Sequence, residues 1–160
     1  MKKDEFYQYC MDAFRPAESL LKMVPADKLD WKPGPNFMTL GNLICHFSDG
    51  IGTELRMLVN NSWPKPEDMA ASMQGQMPTC SVQEAIAKLE KDKATLREVL
   101  SGVTENEFAT KVVSTPWGFK GTLEKMSLDF REHFTNHKQQ LFIYLKMLGF
   151  PVNTQTLYMG

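Results

Sequence analysis

The sequence holds only three histidines and three cysteines in 160 residues, and almost no excess of charge of either sign. Each shortage excludes something. Lysine and arginine number 18 against 19 aspartates and glutamates, a formal net charge of −1. A nucleic-acid binder shows a basic excess and basic patches, so no nucleic-acid partner is expected. No apolar run approaches the ~18 residues of a bilayer span, so no membrane partner is expected either. The opening Met1-Lys2-Lys3-Asp4-Glu5 lacks the apolar stretch of a signal peptide, and the expected localisation is cytoplasmic. Cys10, Cys45 and Cys80 are odd in number, far apart and outside any CxxC arrangement, which fits reduced, buried thiols. No Ser-His-Asp order and no phosphate loop is visible. Strand-like composition is confined to one stretch.

What is present is helical periodicity. The length suits one domain over residues 1–160, and the 42% hydrophobic fraction is ordinary for a globular chain. Apolar residues recur at helical spacing from Glu5 to about Val24, through Pro16, which predicts one helix bent near Ala13. A linker from Ala26 to Asn36 follows, broken by Pro33 and Pro35, with Trp31 anchoring it to the core. Thr39 caps a second helix to about Asn60, with Gly50 and Gly52 inside it. Those glycines either admit a neighbouring element or mark an irregularity. The segment Ser62–Pro78 reads as a loop with a helical turn near Glu67–Ala71. Ser81-Val82-Gln83-Glu84 is a capping box opening a third helix to about Leu100, stopped by Gly102. Thr104-Glu105-Asn106-Glu107 repeats that box for a short turn. Lys111 to Gly121 predicts a small hairpin or an extended loop. Thr122 caps the last helix, which runs to about Leu148 before Gly149 and Pro151. The tail to Gly160 is expected to be extended and packed by Leu157 and Tyr158. The fold class is all-α, a four-helix bundle with long connections and a short hairpin before the last helix. Eleven methionines are adaptable core filler between such helices.

His133 and His137 lie four residues apart on the last helix and project from one face. Their imidazoles can close on one metal ion. His46, beside the apolar stripe of the second helix, completes the inventory and can join them if the two helices pack together. Three neutral ligands leave a divalent ion its full charge and open coordination positions, which is the catalytic type of site. A carboxylate could be a fourth ligand, a partner of an imidazole N–H, or a base. Asp129, one turn before His133, is the catalytic candidate, and Asp49, one turn after His46, is the other; a solvated helix carboxylate is the alternative for each. Cys45 and Glu132 adjoin histidines but point about 100° away. Trp117 and Phe119, in the irregular stretch before the last helix, either contact substrate or cap the bundle end. Asp49 and Trp117 are the substrate-pocket candidates.

Leu43-Ile44-Cys45-His46 follows a Trp31-Lys32-Pro33 linker. Downstream, His133-Phe134-Thr135-Asn136-His137-Lys138-Gln139-Gln140-Leu141 leads into Tyr144-Leu145-Lys146-Met147-Leu148-Gly149. This arrangement resembles the DinB-like (DinB/YfiT) superfamily of metal-binding helical bundles, over nearly the whole chain. The resemblance implies a four-helix bundle of unusual connectivity and a divalent metal ion, nickel or zinc, held by His46, His133 and His137. Relatives in the superfamily include S-transferases and isomerases that use low-molecular-weight thiols. It therefore implies a metal-dependent enzyme with a small-molecule substrate, either a thiol-dependent S-transferase or a hydrolase. The alternatives are a non-enzymatic metal- or small-ligand-binding protein and a dimeric interaction module. Many relatives carry His-Arg-Gly-Gln where this chain has His137-Lys138-Gln139-Gln140, so a role of that arginine does not transfer. A homodimer is also expected, with Met57, Met69 and Met73 as adaptable interface residues.

Overall fold

Side chains that close helix ends set the order of elements. In the computed structural model, described at residues 1–65, 67, 68, 70 and 77–160, these caps open most of the helices. Helix α1 spans Lys3–Lys22 and runs unbroken through the buried Pro16, one helix as expected. A 3-10 turn, Ala26–Lys28, lies in the linker. Helix α2 is Leu40–Ser48, opened by Thr39, whose hydroxyl accepts from the Asn42 amide at 3.1 Å. Helix α3 is Ile51–Asn60. Helix α4, Val82–Gly102, opens on the predicted capping box: Glu84 accepts from the Ser81 amide at 2.7 Å while the Ser81 hydroxyl accepts from the Glu84 amide at 3.2 Å. Thr104 and Glu107 repeat it for α5, Glu105–Thr110. Strands β1 (Val112–Ser114) and β2 (Lys120–Thr122) form an antiparallel hairpin with Val113 opposite Gly121. Helix α6, Leu123–Met147, is the longest, capped by Thr122.

Helices α1, α4, α6 and the α2–α3 pair make the bundle. Both α2 and α3 pack on α4 and on α6, and α1 lies against α4 and α6 as well. Phe14, Phe47 and Phe134 meet at the centre, with ring centroids 4.9 Å and 5.5 Å apart on either side of Phe134. Full burial of a side chain of this size contributes roughly 1.5–3 kcal/mol. Because Phe134 faces inward, α6 has one allowed rotation about its axis. That rotation turns His133 and His137 toward α2.

Two expectations need correction. The second helix is not continuous to Asn60. It breaks at Asp49 and Gly50, both of which leave helical dihedrals. A β-carbon on Gly50 would stand 2.7 Å from the Phe134 ring and 2.9 Å from the Phe47 carbonyl. One on Gly52 would stand 2.2 Å from the Asp92 carbonyl and 2.6 Å from the Leu96 nitrogen, so α3 rests directly on the backbone of α4. The new helix start is capped from across the bundle. The buried Asp92 carboxylate accepts from the Gly52 amide at 2.9 Å and from the Thr53 amide and hydroxyl at 2.7 Å. These bonds oppose the burial that raises its pKa. The glycines thus do both things weighed for them, admitting a neighbour and interrupting the helix.

The tail is not extended. Asn153 caps a short helix, α7, Thr154–Tyr158, by accepting from the Thr156 amide at 3.2 Å. Lys138, buried on α6, donates to the Leu157 carbonyl at 2.8 Å and secures its far end. Leu157 is buried as expected, whereas Tyr158 is exposed. Trp31 anchors the linker, its ring edge-on to Tyr144 at 5.4 Å. The three cysteines are free and buried. The turn expected near Glu67–Ala71 lies partly, and Met69 and Met73 wholly, outside the described residues; Met57 is half-buried. No described helix is long and apolar enough to cross a membrane.

Candidate metal centre

The packing of α2 on α6 brings the three histidines together. His46 is on the last turn of α2, and α2 packs on α6, which carries His133 and His137. One nitrogen from each ring lies within 4.8 Å of the other two. Ring centroids are 4.7 Å apart for His46–His137 and His133–His137, and 5.4 Å for His46–His133. Phe47, Asp49, Gly50, Glu54 and Phe134 complete the small recess around them.

The outward nitrogens decide what the inward ones can do. His133 Nδ1 faces Glu54 Oε1 at 3.2 Å, and His137 Nδ1 faces Gln140 Oε1 at 3.0 Å. Carboxylate and amide oxygens only accept, so both Nδ1 atoms carry hydrogen. In the neutral rings both Nε2 atoms are then lone pairs. They point at each other 2.9 Å apart, with His46 beside them. Two facing lone pairs repel unless an electrophile lies between them, either a proton or a metal cation. Glu54 adds to this demand. Its second oxygen, Oε2, is buried with no hydrogen-bond partner, which is costly without positive charge nearby.

Burial acts against a proton. It pushes His46 down to about 4, helped by the neighbouring His137 and His133. Burial also lowers His137, against the bond from Gln140. His133 alone is raised, by its hydrogen bond to Glu54, with burial opposing. Two imidazoles biased toward neutrality, and a third whose outer nitrogen is held by a carboxylate, fit a divalent transition-metal ion. Pairing of a ligand's second nitrogen with a carboxylate or carbonyl is the usual support of a metal-bound histidine.

The model of the DinB family matches residues 1–158. This chain belongs to the DinB family. Its fold is also that of a solved DinB-like protein, YjoA from Bacillus subtilis. The TM-score is 0.68 at 14% identity, over 92% of this chain and 94% of that one. No curated protein matches the sequence.

In this DinB chain the remaining site candidates are placed as follows. Asp49 lines the recess but is paired with Lys88 at 2.5 Å. Asp129 is paired with Lys125 on its own helix at 2.7 Å and does not line the recess. Trp117 lies in the hairpin turn, 45% exposed, its ring 5.0 Å from that of Trp63, also outside the recess lining. Phe119 is more exposed still. Sequence reasoning missed Glu54. Its signal is faint, a carboxylate next to Leu55 in the apolar stripe of an interrupted helix. Gln140 stands in the histidine motif one turn past His137, and that spacing could have found it.

Proposed function

We propose that His46, His133 and His137 hold one divalent metal ion, nickel or zinc, and that the chain is a metal-dependent enzyme acting on a small molecule. The observation that carries the reading is the 2.9 Å approach of two Nε2 atoms whose rings each face an oxygen acceptor on the other side. Among the described residues only these three form a group that could hold an ion, so positions on a bound ion would remain for an outside ligand. An ion so held supplies Lewis acidity to an oxygen or sulfur ligand. The chain's own residues supply the rest. Glu54 and Gln140 orient two of the rings. Phe47 and Phe134 line the recess. A low-molecular-weight thiol is the preferred co-substrate, and hydrolysis is the variant.

The test starts from protein purified without a histidine tag. Elemental analysis should find close to one nickel, zinc or similar ion per chain, lost in the His133→Ala, His137→Ala double variant. Equal metal in both would sink the assignment. A cobalt-loaded sample titrated with a small thiol should then develop a saturating sulfur-to-metal charge-transfer band. Turnover that waits for thiol supports the transferase. Turnover without thiol supports the hydrolase. Metal without a thiol band or turnover would leave a binding protein that is not an enzyme.

A further inference from the structure

The orientation of Gln140 has its own cause, and it lies in the linker. The Gln140 amide nitrogen donates to the Tyr144 hydroxyl at 3.0 Å, and that hydroxyl donates to the Met38 carbonyl at 3.1 Å. A backbone carbonyl can only accept, so the Tyr144 proton must point at Met38. The hydroxyl oxygen is then left as an acceptor, and the side of Gln140 that faces it must be the NH2. The amide oxygen is therefore turned to His137, whose Nδ1 must carry the hydrogen. The reverse polarity would set two oxygens, of Tyr144 and Met38, face to face without a proton. One direction satisfies every contact, and it ends with the His137 Nε2 lone pair aimed at His133 and His46.

The far end of this chain of bonds is built in. Met38 immediately precedes Thr39, the cap of α2. The linker is tied to the same helix start, since the Leu40 amide donates to the Trp31 carbonyl and the Gly41 amide to the Leu29 carbonyl, each at 2.8 Å. The Trp31 and Phe37 rings stand edge-on to Tyr144 at 5.4 Å and 6.5 Å, and Tyr144 is buried. Tyr144, on the same helix as His137, thus ties α6 to the residue that precedes α2, the helix that carries His46.

We infer that Gln140 and Tyr144 are positioning residues of the metal centre, which hold His137 as its Nδ1–H tautomer by reference to the Met38 carbonyl. The linker is by this account a working part of the site. The inference rests on the metal-binding reading above, and its test separates the two. Imidazole nitrogen chemical shifts of the metal-free protein report the tautomer directly. Wild type should show His137 protonated at Nδ1 and bare at Nε2. Gln140→Leu should show a mixture. Competition with a chromogenic chelator should show zinc held about 10–100-fold more weakly by Gln140→Leu. Tyr144→Phe should fall between the two. Gln140→Glu keeps an acceptor for Nδ1–H and should therefore keep the Nδ1–H tautomer, although its second oxygen can no longer donate to Tyr144. An unchanged tautomer and unchanged zinc affinity in Gln140→Leu would overturn the inference. A wild type that binds no metal would instead overturn the metal reading, while the tautomer of His137 in Gln140→Leu would still decide this one.

Discussion

Glu54 and Asp129 are both carboxylates near His133, and their neighbours divide them. Glu54 is directed at an imidazole N–H from a different helix and keeps one oxygen buried. Asp129 forms a lysine pair within its own helix, at a half-exposed position. Exposed pairs of that kind contribute about 0–1 kcal/mol. The substitutions should therefore behave differently in the same chelator-competition titration. Glu54→Ala is expected to weaken metal affinity about 10–100-fold, because His133 loses the acceptor that holds its ring. Glu54→Gln keeps an oxygen for Nδ1–H and should lose far less. Asp129→Asn should keep wild-type affinity, and a large loss there would show that Asp129 reaches the ion.

At the scale of elements, the junction between α2 and α3 sets where Glu54 stands relative to His46. If the helix ran straight to Asn60, Glu54 would follow His46 on one continuous cylinder. The break at Gly50 instead lets α3 settle directly on the α4 backbone while both short helices keep contact with α6. Asp92 compensates by capping the new start. Gly52→Ala places a β-carbon on the backbone of α4 and should cost about 3 kcal/mol or more. Gly102→Ala, with nothing within 4 Å of the added carbon, should stabilise by about 0.5–1 kcal/mol. Thermal melts read both, at about 2–4 °C per kcal/mol for a chain of this size. A melting temperature for Gly52→Ala equal to wild type would mean that α3 does not sit on α4 as described.

For the whole molecule, the core does not depend on the ion. Four bundle elements bury the Phe14, Phe47 and Phe134 cluster and most of the aliphatic side chains. Far-ultraviolet circular dichroism after chelation should therefore keep its helical signal, unlike a mini-domain folded by its metal. Collapse to a coil-like spectrum would make the site structural. Acid should act through the contact of α1 with α4. Glu18 is held at about 2, first by its bond to Lys22 and then by Lys93 on α4. Its folded pKa is depressed, so its contribution is present above the usual value of 4.5 and lost as pH falls from there toward about 2. The carboxylate is largely solvated, so the loss should stay under about 1 kcal/mol. Glu18→Gln should flatten that part of the melting-temperature profile and leave neutral pH nearly unchanged. A profile as steep as wild type would assign the acid limb to other groups.

Helices and caps were legible in the sequence because their causes are local, and so was the pairing of His133 with His137 on one helix face. Hydroxyl and carboxylate spacing marked the starts at Ser81, Thr104 and Thr122, and the i, i+4 pair marked one face of α6. The resemblance carried by the histidine motif and the linker pointed to the bundle and to His46 as the third member. The break at Gly50 was not legible, since glycine costs a helix only about 1 kcal/mol and tolerates either outcome. What decided it was the Phe134 ring, the Asp92 carboxylate and the backbone of α4, all distant in the chain. The short tail helix likewise depends on the buried Lys138 reaching Leu157. Glu54, Gln140 and Tyr144 acquired roles for the same reason. Composition and periodicity determine which side chains are available and which face they share. Which nitrogen carries the proton depends on Glu54, brought to His133 from another helix, and on the Met38 carbonyl that turns Gln140 toward His137, and only packing places those.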